Sequence, residues 1–155
     1  MISIFRKHKI VLCSRVSGQL LINGLPANKV RVRRILTYSG EQEFSDSTVT
    51  DSEGCFSLAK YSILSRKPNK PFFDSFTHQY IYAEFDGNKP LIWFAKHRGK
   101  DELDSFAKKL GNIIGDLTDP EVQFEFDSGV SQVKYFANSR CRWDADFKVL
   151  EVFQD

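Results

Sequence analysis

The side chains able to do chemistry are few and scattered. The three histidines, His8, His78 and His97, share no ligand spacing and none stands in a pattern that pairs it with a nucleophile. A catalytic histidine needs a partner that orients it, so all three read as surface or loop residues. Asp144 and Asp146 alternate with Trp143, Ala145 and Phe147, which puts both carboxylates on one face of an expected strand. Paired carboxylates perform acid–base work at roughly 5–9 Å separation, yet the solvent side of a half-buried strand produces the same pattern. Asp101 and Asp104 read as favourable charges at a helix start. The three cysteines, Cys13, Cys55 and Cys141, are widely spaced and make no C-x-x-C, so zinc is not indicated. They are expected to be three free thiols. The sequence contains no phosphate-cradling glycine loop and no serine elbow. A catalytic set, a metal site and a cofactor are therefore not expected.

The elements that carry these residues are mostly strands. Ile10–Cys13 and Gly18–Ile22 are short apolar runs, the second closed by the turn dipeptide Asn23-Gly24. From Lys29 to about Tyr38 the chain alternates, Val30 and Val32 against Arg31 and Arg33. Thr48–Thr50 leads through Asp51-Ser52-Glu53-Gly54 into Cys55–Leu58, which predicts a second hairpin. Gln79–Phe85 ends at Asp86-Gly87, and Leu91–Ala95 reads as an internal strand. Residues 101–117 change period: Leu103, Phe106, Leu110, Ile113 and Leu117 form the stripe of an amphipathic helix, with Gly111 as its weak point. After Pro120, Val122, Phe124 and Phe126 point inward. Val133–Ala137 and Arg142–Phe153 supply the last strands, with Trp143, Ala145, Phe147 and Val149 on one face.

These elements predict one domain over residues 1–155: a β-sandwich, immunoglobulin-like or transthyretin-like, with one inserted helix at about 101–117. A chain of 155 residues is long enough for a real core. With 41% hydrophobic and 27% charged residues it is not of the disordered class. The net charge of +2 does not suggest a nucleic-acid partner. No apolar run approaches the ~20 residues of a membrane span. The start is interrupted by Arg6, Lys7, His8 and Lys9, unlike an export signal. The expected location is cytoplasmic, or periplasmic if an export signal was removed.

Two segments resemble a known family. Ser17–Pro26, followed by Val30 and Val32, is similar to the opening of carboxypeptidase-regulatory-like (transthyretin-like) domains. Thr48–Leu58 is similar to their second hallmark, T-x-T-D-x-x-G-x-F. Together they span about residues 14–60. The resemblance implies the sandwich fold, and motif residues such as Gly24, Gly54, Val30 and Phe56 that serve folding rather than chemistry. Transthyretin-like hydrolases of hydroxyisourate end in Tyr-Arg-Gly-Ser, whereas this chain ends Val152-Phe153-Gln154-Asp155. As a whole the chain resembles small single-domain proteins of Gram-negative bacteria, including type VI secretion accessory and immunity proteins.

The leading expectation is thus a non-enzymatic domain that binds another protein, such as an immunity or accessory factor for a secreted bacterial toxin. Candidate contacts are Phe72, Phe73 and Phe76 on a loop held by Pro68 and Pro71, with Arg31 and Arg33 on the alternating strand. Tyr80, Tyr82 and Trp93 extend the aromatic set, although Trp93 sits in a core pattern. The second expectation is a carbohydrate-binding or cell-envelope module, in which an exposed Trp143 or Tyr80 stacks on a sugar ring.

Overall fold

The structure, a computed structural model, describes residues 5–154. Met1–Ile4, part of the stretch considered as an export signal, and Asp155 lie outside the described residues. The chain is a β-sandwich with one short helix.

The larger layer has seven antiparallel strands. In spatial order they are β13 (Lys148–Phe153), β11 (Glu121–Asp127), β12 (Lys134–Ser139), β9 (Leu91–Arg98), β8 (Phe76–Glu84), β4 (Arg31–Tyr38) and β5 (Gln42–Val49). The opposing strands form two smaller groups. In one, β2 (Val16–Ile22) lies between β10 (Ile113–Asp116) and the pair β3 (Leu25–Pro26) and β6 (Cys55–Leu58). In the other, β1 (His8–Cys13) pairs with β7 (Tyr61–Ser65).

Alternation decides which side chains enter the core. Val32, Leu36 and Tyr38 on β4 are fully buried, as are Ile81 and Ala83 on β8. Val122, Phe124 and Phe126 on β11 point inward as the pattern predicts. Trp93 on β9 is the centre: it is wholly buried and meets Phe106, Phe124, Phe126 and Trp143 at ring-centroid distances of 5.8–6.2 Å. Burying one such ring system contributes about 5 kcal/mol. Its indole N–H donates to Gln79 Oε1 at 2.9 Å, and Gln79 Nε2 donates to the Leu12 carbonyl at 2.9 Å, so the indole and the Gln79 amide are both satisfied.

Turn chemistry follows the sequence. Asn23 and Gly24 take φ of 50° and 77°, and join β2 to β3. Asp51 Oδ1 accepts from the Glu53 and Cys55 N–H groups, each at 2.9 Å. Gly54 sits at φ 78°, where a Cβ would lie 2.2 Å from the Leu20 carbonyl oxygen.

Three expectations are corrected. The predicted helix over 101–117 is only α1, Asp104–Leu110. It stops at Gly111, and Ile113–Asp116 pairs in parallel with Gly18–Leu21 instead. The apolar spacing at 113 and 114 served a strand, with Ile113 buried and Ile114 exposed. The second hairpin is absent: β5 pairs with β4 while β6 pairs with β2, so the Asp51–Gly54 turn carries the chain from one layer to the other. Finally, Trp143–Phe147 is not part of the last strand, which begins at Lys148. Trp143 is held inward by its indole N–H, which donates to the Lys109 carbonyl at 3.1 Å.

Candidate partner-binding face

One side of the seven-stranded layer covers the core, and the same alternation turns a second set of side chains outward. On β8 these are Phe76, His78, Tyr80 and Tyr82; on β9 they include Phe94, Lys96 and Arg98. Their rings form a continuous ladder. Phe76 meets His78 edge-on at 5.4 Å, and His78 stacks on Phe94 at 6.2 Å with the planes 11° apart. Tyr80 meets Phe94 at 6.2 Å and Tyr82 at 5.2 Å, and Tyr82, only 6% exposed, is the buried end of the ladder. Phe94 is 40% exposed, and Phe136 on neighbouring β12 is 51% exposed.

The ladder's charges are unevenly arranged. Lys96 Nζ lies 4.2 Å above the Phe76 ring, and Lys89 Nζ lies 5.5 Å from the Tyr82 ring. On β4, Arg33 is paired with Glu84, while Arg31 donates to the Ser47 hydroxyl at 3.2 Å. Across the sheet, β11 presents Glu121 and Glu125 on the same side. The face is therefore basic and aromatic over β4, β8 and β9, and acidic over β11. The Tyr80 phenol is raised above its ordinary pKa by burial first, then by Tyr82 and Glu121, which places it at the border between the two halves.

The sequence candidates divide between this face and its surroundings. Phe76 belongs to the ladder, and Arg31 and Arg33 lie on the same face toward the other end of β8, where Arg33 is opposite Tyr82. Phe73 is half-buried against Tyr38, with ring centroids 6.0 Å apart, so it fastens the loop. Phe72 projects fully into solvent with a φ of 59°. Phe76 opens β8, so the loop expected to carry Phe72, Phe73 and Phe76 stops short of Phe76. Trp93 is core. Trp143 is buried rather than exposed, so it does not stand out from the surface as a stacking platform.

His78, Phe94 and Lys96 were not singled out as contacts. Their signal was present: Phe76, His78, Tyr80 and Tyr82 recur at every second residue. The neighbouring strand that supplies Phe94 is not deducible from that spacing.

The carboxylates gather elsewhere. Asp104, Asp144 and Asp146 line a cleft of about 780 Å³ with Lys109 and Trp143. Asp144 and Asp146 lie in an irregular segment rather than on a strand. Lys109 is 6% exposed and donates to the Ala145 carbonyl at 2.8 Å. Burial lowers its pKa, with Asp146 opposing. With the Trp143 indole bonded in return to the Lys109 carbonyl, these residues tie residues 143–146 to α1. Among the described residues no group of three or more His, Cys, Asp or Glu is arranged to hold a metal ion. Among the same described residues no helix is long and apolar enough to cross a membrane.

A family model described as "Domain of unknown function (DUF6795)" matches residues 16–120. The chain belongs to this family. The DUF6795 match starts at the first residue of β2 and ends just before β11. It thus contains the basic, aromatic half of the face, while the acidic half on β11 lies outside it. No curated protein and no solved structure matches the chain.

Proposed function

We propose that this chain is a non-enzymatic protein-binding domain that docks its partner on the outer face of the seven-stranded layer. The observation that carries the reading is the ring ladder Phe76–His78–Phe94–Tyr80, packed against the buried Tyr82, with Lys96 over Phe76. Rings already packed against each other on strands lose little freedom on binding, which lowers the ordering cost. Aromatic and arginine side chains are also the residues that most often dominate interface energy. The partner surface that fits is apolar at its centre and acidic over β4 and β9. An acidic toxin recognised by an immunity or accessory factor has that chemistry.

The transthyretin-like resemblance supports the same division of labour. Its motif residues build the turns at Asn23-Gly24 and Asp51–Gly54, leaving the ladder free for contact. The carbohydrate reading is weakened, because Trp143, one of its two candidate stacking residues, is buried.

The test is affinity capture from the native host with four baits: wild type, Phe94→Asp, Lys96→Glu and, as a control remote from this face, Leu25→Asp. The expected result is a stoichiometric protein retained by wild type and Leu25→Asp and lost by both variants of the face. A partner retained by all four baits would place the interface elsewhere. Binding to a glycan array that is lost in Phe94→Asp would make this face a sugar site and sink the protein-docking reading.

A further inference from the structure

The edge of the seven-stranded layer at β13 has a second feature that the docking face does not use. β13 is paired with β11 on one side only. Val149, Leu150 and Val152 are 42%, 44% and 52% exposed. An uncovered apolar edge is a template for another strand.

The register with β11 contains a bulge. Gln123 is opposite Glu151 and Phe124 is opposite Val149, so Leu150 has no partner on β11. The extra residue changes which way its neighbours point. Residues three apart in a regular strand face opposite sides. Here Lys148, opposite Glu125, and Glu151, opposite Gln123, both turn to the outer face. The segment Lys148-Val149-Leu150-Glu151 is therefore complementary to itself when reversed. In an antiparallel pair related by a two-fold axis, Lys148 of each copy meets Glu151 of the other, and Val149 meets Leu150.

We propose that β13 pairs antiparallel with β13 of a second copy of this chain, with Lys148 opposite Glu151 at both ends of the contact. The bulge blunts indiscriminate edge pairing and leaves one register in which both charge pairs form. The joined sheet places both outer faces on the same side. Two aromatic ladders are then presented together, and a partner with a repeated surface gains avidity. The inference stands independently of what the ladder binds.

Sedimentation velocity over a concentration series tests it, using wild type, Lys148→Glu, Glu151→Lys and an equimolar mixture of the two variants. Wild type is expected to form a concentration-dependent dimer. Each variant alone creates two like-charge pairs and should weaken dimerisation tenfold or more. The mixture restores both opposite-charge pairs and should dimerise like wild type. Lys148 also lies 3.5 Å from Glu125 within its own chain, so Leu150→Asp, at the residue without a β11 partner, provides a second disruptive variant. A monomeric wild type at all concentrations overturns the proposal. So does a mixture that fails to recover the dimer, or a Leu150→Asp protein that dimerises unchanged.

Discussion

Arg34 and Asp46 form an ion pair across β4 and β5 in which the arginine is wholly inside the molecule and the aspartate reaches water. Arg34 Nε donates to Asp46 Oδ1 at 2.9 Å and Nη2 donates to Oδ2 at 2.5 Å. Nη2 also donates to the Ala59 carbonyl at 2.7 Å. The arginine side chain is 0% exposed and the aspartate side chain 33%. Arg34 falls on the inward side of β4, between Val32 and Leu36, so the pair fastens the edge strand β5 from within.

That asymmetry predicts unequal costs. Asp46→Ala strands a buried guanidinium and should lose about 3 kcal/mol, the range for a broken buried pair. Arg34→Met removes the buried charge and leaves Asp46 accessible to water, so it should cost clearly less. Urea unfolding of both variants measures the difference. Equal losses would mean that the carboxylate is as poorly solvated as the guanidinium and would overturn the asymmetry.

Gly18 decides where β10 can lie. A Cβ there would fall 1.8 Å from the Ile113 carbonyl oxygen. Gly18→Ala should therefore separate β10 from β2 and cost about 3 kcal/mol, the upper range for overpacking. Gly24→Ala has open space around it but φ 77°, and should cost about 1 kcal/mol. Thermal melts that rank Gly24→Ala as the worse variant would refute the parallel contact.

His97 predicts a pH dependence. It is 2% exposed and packs edge-on against Phe106 with ring centroids 5.3 Å apart. Burial lowers its pKa below 6.5, with Glu102 and Asp101 opposing. The unfolded chain thus binds the proton more readily than the folded one. Stability should be full above about pH 6.5 and fall as the pH drops through that value. Denaturation at pH 7.5 and 5.5 should show the loss, and His97→Gln should flatten it. A wild-type stability unchanged between those values would contradict the burial effect.

The thiols should react in a fixed order. Burial raises Cys13 to about 11 and Cys141 to about 12. Cys55 is only half-buried, and its pKa is raised too. Brief alkylation of native protein at pH 8, read by mass spectrometry, should label Cys55 first and the other two only on unfolding. Early labelling of Cys13 would mean that the β1–β7 ribbon opens.

Period and turn residues determined much of this protein unaided. Alternation at Val30, Val32, Phe124 and Phe126 marked buried faces because strand side chains point to opposite sides in turn. Asn23-Gly24 and Asp51–Gly54 marked turns because few residues tolerate a positive φ. Pairing was a different matter, since a strand's neighbours are set by which distant segments bury each other. The same spacing at Ile113 and Leu117 suits a helical stripe, and only the close approach allowed by Gly18 made Ile113–Asp116 a strand. The Asp51–Gly54 turn was legible, but that it crosses between layers was decided by β6 finding β2. The ladder shows both limits together. Phe76, His78, Tyr80 and Tyr82 share a face by sequence spacing alone, whereas Phe94 joins them only because β9 lies beside β8 in the folded sheet.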